Sequence, residues 1–189
     1  FQTIMEAIEL GVHCVIGTSG LVDAQYAEIS SAAEAKGIGV FAAGNFSITA
    51  ALMTHFSQLA TQFVPSWEIF DYGSDTKIDA PSGTARELAY LLSQKGKPDY
   101  RYTPAEIRGI AESRGASLND SQVHSVRLPG YYSSAEVQFG LAGERLSIRH
   151  DSFSHAPYVA GTLLAVRKVA EMTGLVRGMD KLLGLGGER

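Results

Sequence analysis

Two short apolar runs, each followed by a helical segment, limit the possible folds of this sequence more than any other feature. The runs HCVIG (13–17) and IGVFAAG (38–44) have the length and composition of strands that are buried on both faces. Between them, AQYAEISSAAEAK (24–36) predicts a helix that Asp23 can cap and that Gly37 ends. A strand, a helix and a second strand in this order predict two parallel strands joined by a right-handed crossover.

The same kinds of pattern continue on both sides of this unit. The opening FQTIMEAIELG (1–11) is typical of a helix already under way, so we expect further sequence to precede Phe1 in the protein. After the second strand, SITAALMTHFSQLATQF (47–63) predicts a helix that Pro65 ends, and WEIFDY (67–72) predicts a third strand.

The second half of the sequence alternates polar and apolar residues, which is typical of antiparallel strands with one face in water. The alternation predicts strands at 123–128, 134–140 and 144–151, with a hairpin turn at 141–143. The remaining segments are predicted as a strand with a long polar loop (100–120), a helix (158–172), a short helix around 175–183 and a frayed Gly-rich end.

Together these patterns predict an α/β fold in two parts. The first is the C-terminal part of a Rossmann-like parallel sheet, and the second is an α+β domain with an antiparallel or mixed sheet. We expect the parts to divide as 1–66 and 67–160, with C-terminal helices in 161–189 that pack back toward the first part.

Composition excludes several classes of protein. The 189 residues are 45% hydrophobic and 19% charged, as in soluble globular proteins. A net charge of −4 without a basic run argues against nucleic acid as the main partner. No apolar run reaches the length of a membrane span, and the lone Cys14 excludes an internal disulfide framework. We therefore expect no membrane partner and a cytoplasmic location.

The segment KIDAPSGTARELAYLL (77–92) places polar groups at the start of a predicted helix. The first amides of a helix have no intrahelical acceptor and carry partial positive charge, so this end can bind an anion. Gly83 would let a ligand approach the backbone, and Ser82 and Thr84 supply hydroxyls. Lys77 adds a full positive charge. An ordinary helix cap, with Ser82 as N-cap and Lys77 in solvent, fits the same residues equally well.

Two loops follow the predicted parallel strands, at the edge where doubly wound sheets bind ligands. They are GTSG (17–20) and AGNFS (43–47), and both combine glycine with small polar residues. Such loops can hold a planar ring through main-chain hydrogen bonds, and they also fit plain turn chemistry. A GxGxxG fingerprint is missing from the chain; in folds of this class it follows the first strand of the sheet.

Four motifs in order, VIGTSG, GNFSITAALM, KIDAPSGTA and GERLSIRHDS, closely resemble the 4-hydroxy-tetrahydrodipicolinate reductase (dihydrodipicolinate reductase) family. The resemblance covers nearly the whole chain, and DAPSGTA is its most specific part. It implies an oxidoreductase of lysine and diaminopimelate biosynthesis. The Rossmann-like domain would bind NADPH or NADH, the second domain would bind a cyclic dicarboxylate, and a homotetramer would form through the antiparallel sheets.

The resemblance also implies roles for individual residues. Lys77 is implied to lie beside the reacting ring as a catalytic residue, and no metal site is implied. The residues implied to bind substrate are Ser74, Ser82, Gly83 and Thr84. Those implied to meet the nicotinamide end of the cofactor are Gly17, Thr18, Ser19, Ala43, Gly44, Asn45 and Phe46.

One departure from the family bears on the chemistry. The family carries two adjacent histidines, one of them the proton donor, where this chain has Gly73 and Ser74. Hydride addition to a conjugated C=N group leaves an anionic enamine that must be protonated. The candidate donors here are Lys77, Tyr72, Asp75, a water held by Ser74, or a histidine from the second domain.

Some of these candidates also have a structural interpretation. Tyr72 fits a simple aromatic residue at the end of a strand, although we keep it as a catalytic candidate. His150 alternates with core residues and is predicted to be structural, whereas His155 lies in a loop that is predicted to be exposed.

Functions of different classes remain open on the sequence alone. One is an NAD(P)H-dependent reductase of a small cyclic dicarboxylate, or of a different imine or carboxylate substrate. The other is a family member that has lost catalysis and serves as a binding or oligomeric module. A third possibility is an unrelated dehydrogenase with the same two-domain plan, but the match of DAPSGTA to the family motif would then be a coincidence. Because the pyrophosphate-binding turn is missing, we expect the 189 residues alone to bind dinucleotide poorly and to be inactive.

Overall fold

A computed structural model describes residues 1–18 and 20–185. The chain divides into a first unit, Phe1–Ala51 with His155–Arg189, and a second unit, Leu52–Ser154. The predicted boundaries at 66 and 160 lie somewhat later in the chain than these two divisions.

The described residues contain six α-helices and eight β-strands. The helices are α1 (Gln2–Glu9), α2 (Asp23–Lys36), α3 (Ile48–Ala60), α4 (Gly83–Ser93), α5 (Ala156–Lys168) and α6 (Met179–Leu182). The strands are β1 (Cys14–Ile16), β2 (Gly39–Ala42), β3 (Ser66–Gly73), β4 (Ala116–Leu118), β5 (Ser121–Arg127), β6 (Ser133–Leu141), β7 (Glu144–Ser152) and β8 (Gly174–Arg177).

The first unit contains a three-stranded parallel sheet in the order β1-β2-β8. Strands β1 and β2 pair in parallel, with Cys14 opposite Val40, and α2 connects them. All four residues of β2 are buried, which is why its sequence is an uninterrupted apolar run. This confirms the strand–helix–strand unit that the sequence predicts.

Strand β8 corrects the predicted helix around 175–183. Residues Gly174–Arg177 pair in parallel with β2, and only Met179–Leu182 are helical. The flanking glycines, Gly174 and Gly178, have φ angles of 77° and 98°, which helix residues do not adopt. The three residues between these glycines are too few for a stable helix, and together with Gly174 they form the four-residue strand.

Helix α2 also begins differently from the prediction. Val22 is its N-cap and Asp23 is its first helical residue. The Gln25 side chain takes over part of the capping, because its Oε1 accepts the Val22 amide at 3.0 Å. Asp23 therefore acts on the helix through its charge near the positive end of the dipole. Gly37 ends the helix as predicted, with a φ of 65°.

Apolar residues of the first unit form two clusters, and β2 contributes to both because its side chains alternate. Val40 packs with residues of α1 and α2, and Phe41 packs with residues of α5 and α6. Gly161 of α5 approaches the loop after β2 so closely that a Cβ there would fall far inside van der Waals contact with the Phe46 carbonyl oxygen. This contact fixes the loop against α5.

The second unit contains a five-stranded mixed sheet in the order β4-β5-β3-β6-β7. The central strand β3 pairs antiparallel with β6 but parallel with β5, so the sheet is mixed, one of the two predicted arrangements. The connection from β3 to β5 passes through α4, and such a long crossover permits parallel pairing. The β6–β7 hairpin turns at residues 142 and 143, as predicted.

Helix α4 covers one face of this sheet. Its Leu88 and Leu92 are buried in a cluster with Ile69 of β3 and Val137 of β6. The other face of the sheet carries polar and aromatic side chains, among them Glu136. The strands therefore alternate core and polar residues, as the period of two in the sequence predicts.

Candidate functional site

The candidate site lies on the connection between β3 and α4. Strand β3 ends at Gly73, a cis peptide bond joins Ala80 to Pro81, and α4 begins at Gly83. Lys77 and the first turn of α4 therefore lie on one short segment beside the central strand of the sheet.

A buried ion pair holds this connection to the sheet. Asp71 of β3 is only 2% exposed, and its Oδ2 accepts a hydrogen bond from Arg127 Nη2 at 2.7 Å. The same oxygen accepts the Ser82 amide at 2.8 Å and the Ser125 hydroxyl at 3.2 Å. Arg127 in turn donates to the Asp79 carbonyl through Nη2 at 2.6 Å and through Nε at 3.2 Å.

These hydrogen bonds decide the charge of Asp71. Burial by itself raises the pKa of the carboxyl, but the hydrogen bonds from Arg127 and Ser82 outweigh burial, and the pKa lies below its ordinary value. The carboxylate is therefore ionised at neutral pH. Its contribution to folding is present above the pKa of the unfolded chain and is lost only as the pH falls through the lowered value.

The start of α4 is capped by a side chain of the chain itself, and two of its backbone amides remain free. Ser82 is the N-cap, and its Oγ accepts the Ala85 amide at 3.2 Å. The amides of Gly83 and Thr84 donate to no acceptor within the described residues. Gly83 is exposed, and a Cβ there would have only Arg86 Nη2 within 4 Å, at 3.9 Å. The ordinary cap and the anion-binding interpretation are therefore compatible, since capping leaves two amides for a ligand.

Lys77 packs against the backbone of Gly73. Its side chain is 32% exposed, and its Nζ lies 3.7 Å from Asp79 Oδ1. A Cβ on Gly73 would lie 3.1 Å from Lys77 Cδ and 3.2 Å from Arg127 Nε, which is tighter than normal packing. Gly73 thus makes room for two basic side chains.

Ser74 belongs to the turn that leads to Lys77. Its Oγ lies 2.8 Å from Thr76 Oγ1, accepts the Thr76 amide at 3.1 Å and donates to Asp75 Oδ1 at 3.2 Å. The Ser74 carbonyl accepts the Lys77 amide at 3.1 Å. The hydroxyl therefore shapes the turn, and the exposed Asp75 carboxylate lies beside it.

Tyr72 lies on the opposite face of the sheet from Asp71, because neighbouring side chains of a strand alternate. Its hydroxyl donates to Glu136 Oε2 at 3.3 Å, and its ring stacks on Tyr131 with centroids 5.2 Å apart. Burial, followed by the nearby Glu136 charge, raises the pKa of its phenol. The structure does not bring Tyr72 to the face that carries Lys77.

The two histidines considered as donors have different settings. His150 lies on β7 opposite Ala135, and burial lowers the pKa of its ring, so it is neutral at pH 7. His155 is exposed, belongs to the first unit and directly precedes α5.

The predicted cofactor loops of the first unit lie together at the carboxyl ends of β1 and β2. The Ala43 amide donates to the Ile16 carbonyl at 3.1 Å. A Cβ on Gly17 would lie 3.4 Å from the Phe46 ring, so the two loops touch there.

The individual loop residues differ in exposure. Gly17, Thr18 and Gly44 are exposed, whereas Ala43 and Phe46 are buried. The Thr18 hydroxyl accepts the Gly20 amide at 3.3 Å, and Asn45 Oδ1 accepts the Ser47 amide at 2.8 Å. Ser19, the remaining predicted residue, lies outside the described residues.

Sequence reasoning missed Asp71 and Arg127. The one available signal was Asp71 itself, an acid on the apolar face of a strand whose alternating residues are buried. Arg127 is 56 residues away in the chain and gave no comparable signal.

The described part of the chain contains neither a metal site nor a membrane-spanning helix. No group of three or more His, Cys, Asp or Glu side chains is placed there to hold a metal ion. Within the same residues, no helix combines the length and the apolar character that crossing a membrane requires.

Residues 46–183 match the model of the family described as "Dihydrodipicolinate reductase, C-terminus". A 4-hydroxy-tetrahydrodipicolinate reductase of Enterococcus faecalis is 40% identical over 177 residues, which are 94% of this chain and 68% of that protein. One of Bacillus subtilis is also 40% identical, over 94% of this chain and 66% of its own length. The chain thus spans about two thirds of these curated relatives.

A solved structure gives the same result for the fold. The dipicolinate-bound dihydrodipicolinate reductase of Paenisporosarcina sp. TG-14 is 34% identical, with a TM-score of 0.88 over 95% of this chain and 68% of that one. The family match, the relatives and the solved structure together show that the chain belongs to the dihydrodipicolinate reductase family.

Proposed function

We propose that the protein carrying this chain is an NAD(P)H-dependent reductase of a small cyclic dicarboxylate, the 4-hydroxy-tetrahydrodipicolinate reductase of lysine and diaminopimelate biosynthesis. Family membership supports the oxidoreductase class. The observation that supports a dicarboxylate is the segment 77–84, which places a lysine and two free helix amides on one connection held to the sheet. We place the enzyme in the cytoplasm, with NADPH or NADH as reductant.

Binding is assigned to the start of α4 and to Lys77. The free amides of Gly83 and Thr84, with the Thr84 hydroxyl, hold one substrate carboxylate at the positive end of the helix. A charge-assisted hydrogen bond from the Lys77 ammonium contributes about 1.5–3 kcal/mol, or roughly ten- to a hundredfold in affinity. Because the start of α4 is held to β3 before binding, little ordering cost remains for the helix amides.

Lys77 is assigned as the donor of the proton that the substrate takes up after hydride addition. A bound dinucleotide would supply hydride to the conjugated C=N system of the substrate, and the Lys77 ammonium would give a proton to the anionic enamine that this addition leaves. Of the candidates, Lys77 lies on the same connection as the carboxylate-binding amides, and Asp79 Oδ1 at 3.7 Å orients its ammonium. Tyr72 lies on the other face of the sheet, and His150 is neutral and partly buried.

The residues of the first unit fit the nicotinamide end of a dinucleotide. Gly17 and Gly44 expose their backbone at the carboxyl ends of two parallel strands, where such cofactors bind. The buried Phe46 ring lies against Gly17 and fixes the spacing of the two loops.

Calorimetric titration with dipicolinate tests the proposed ligand class. We expect saturable binding of dipicolinate, and at least about tenfold weaker binding of the monocarboxylate picolinate, because picolinate lacks one of the two charges that the site pairs. Equal affinity for both compounds, or no binding of dipicolinate, would contradict the proposal. Dipicolinate binding without any turnover in the whole protein would instead favour a family member that has lost catalysis.

Gly83→Ala separates ligand binding from folding. The added methyl has room in the protein, since Arg86 Nη2 at 3.9 Å is its nearest neighbour, but it occupies the approach to the free amides. We expect the substrate KM of the whole protein to rise about tenfold with the melting temperature unchanged. Ser93→Ala, at the far end of α4, is the control, and an unchanged KM for Gly83→Ala would show that no ligand reaches these amides.

We also propose a homotetramer built through the mixed sheets. The edge strand β7 is nine residues long and carries the exposed Leu146, and proteins normally cover such edges. We expect a tetramer by light scattering at micromolar concentration and its dissociation by Leu146→Glu. Leu10→Glu, at an exposed leucine after α1, is the matched control. A monomeric unsubstituted protein would contradict this assembly.

A further inference from the structure

We propose that Arg127 and Asp71 are positioning residues that fix the separation of Lys77 and the start of α4, and so control how tightly the protein holds a dicarboxylate. The inference rests on the function proposed above, because it concerns the same binding groups. Neither residue is assigned contact with the substrate.

The guanidinium of Arg127 joins three parts of the chain. Its Nη1 donates to the Val126 carbonyl at 2.9 Å and to the Asp71 carbonyl at 3.3 Å, which ties it to β5 and β3. Its Nη2 reaches the Asp79 carbonyl at 2.6 Å, within the connection that carries Lys77. A planar fork with several fixed donors suits this task, and the single ammonium of a lysine does not.

Asp71 completes the attachment from the other side. Its Oδ2 binds the Ser82 amide at 2.8 Å, so the residue before the free amides is attached directly to β3. Asp79 and Ser82 are therefore held by one ion pair. The position of the Lys77 side chain follows, because its ammonium lies 3.7 Å from Asp79 Oδ1.

The ion pairs of the two basic residues also favour Arg127 as a positioning residue and Lys77 as the ligand-binding residue. Asp71 neutralises Arg127, whose side chain is only 16% exposed, so Arg127 is not a free cation for a ligand. Lys77 is twice as exposed, at 32%, and its carboxylate partner lies at the longer distance of 3.7 Å. Gly73 allows the two basic side chains to lie side by side, because a Cβ there would crowd both. The arrangement reserves Lys77 for the ligand and Arg127 for the backbone.

A second ion pair of the same unit provides a matched control. Arg114 pairs with Glu68 of β3, and both side chains are partly buried. Glu68 and Asp71 are three residues apart in one strand, so their side chains lie on opposite faces of the sheet. Arg114→Gln therefore removes an ion pair from β3 without touching the connection that follows it.

Hydrogen exchange measures the attachment directly, without a ligand. In Arg127→Lys and in Asp71→Asn we expect the hydrogen-bonded backbone amides of Ser82, Ala85 and Arg86 to exchange about tenfold faster than in the unsubstituted chain, while those of β6 and β7 are unchanged. Arg114→Gln should leave the exchange of all these amides as it is. Unchanged exchange in a folded Arg127→Lys chain would overturn the inference.

Dipicolinate affinity by calorimetry is the functional measurement. A small displacement of binding groups is costly, so we expect roughly ten- to a hundredfold weaker binding for Arg127→Lys and Asp71→Asn, and a change below about threefold for Arg114→Gln. In the whole protein the substrate KM should rise while the cofactor KM stays constant. If Arg114→Gln weakened dipicolinate binding equally, the effect would reflect a general loss of stability, and the inference would be overturned.

Two outcomes keep the inference separable from folding and from the proposed function. If Arg127→Lys does not fold, Ser125→Ala is the second variant, because it removes a single 3.2 Å hydrogen bond to Asp71. It should weaken dipicolinate binding about threefold, and an unchanged affinity would count against the inference.

If the unsubstituted chain does not bind dipicolinate, the proposed ligand class fails, and hydrogen exchange alone decides whether Arg127 holds the connection.

Discussion

We expect Lys77→Ala to lower kcat/KM of the whole protein by at least about a hundredfold. The substitution removes the charge paired with a substrate carboxylate and, with it, the assigned proton donor, and a positioned acid alone contributes about 10²–10⁴-fold. Steady-state kinetics at saturating cofactor measures the effect. The loss should appear in both kcat and KM, because Lys77 acts in binding and in protonation.

The controls for this prediction are two histidines and a lysine. His150→Ala and His155→Ala should stay within about tenfold of the unsubstituted protein, since neither is assigned a chemical step. Lys97, an exposed lysine paired with Asp120 at 2.9 Å, should tolerate alanine without loss of rate. If His155→Ala abolishes turnover and Lys77→Ala is mild, the proton comes from the first unit and our assignment is wrong.

The second large effect is expected on stability, from Gly161→Ala. Alanine is a better helix former than glycine by about 1 kcal/mol, so intrinsic propensity alone would stabilise α5. The new Cβ, however, would overlap the Phe46 carbonyl oxygen and approach Met179 Cε to 3.0 Å. Because a backbone atom cannot easily yield, we expect overpacking to dominate, with a loss of about 1–3 kcal/mol and a melting temperature roughly 3–10 °C lower.

Gly83→Ala is the natural comparison, because it makes the same chemical change in a helix where no atom opposes the methyl. Its melting temperature should stay within about 2 °C of the unsubstituted protein. A Gly161→Ala chain that melts at the same temperature as the unsubstituted chain, or higher, would contradict the close packing of α5 on the loop after β2.

The sequence was sufficient for the elements whose signals are local. The apolar run of β2 and Gly37 predicted the parallel unit, and the strict alternation of β6 and β7 predicted their hairpin. Ser82 as an N-cap was one of the two interpretations that the sequence left open, and it could be considered because capping depends on neighbours within four residues. The motif around Lys77 likewise lies in one continuous segment, so its resemblance to a family could be recognised.

The remaining features depend on contacts between distant residues. Parallel pairing of β3 with β5 is decided by the crossover through α4, which alternation alone does not encode. Strand β8 is short, and only its parallel neighbour β2 distinguishes it from a helical turn. The role of Arg127 requires knowing that its guanidinium meets a carboxylate 56 residues away.

The most direct test of the proposed reductase is the rate at which the whole protein oxidises NADPH and NADH in the presence of the freshly generated product of dihydrodipicolinate synthase. We predict turnover with at least one of the two cofactors, competitive inhibition by dipicolinate, and loss of turnover in Lys77→Ala. A folded protein that binds dipicolinate but oxidises neither cofactor would contradict the proposed reductase.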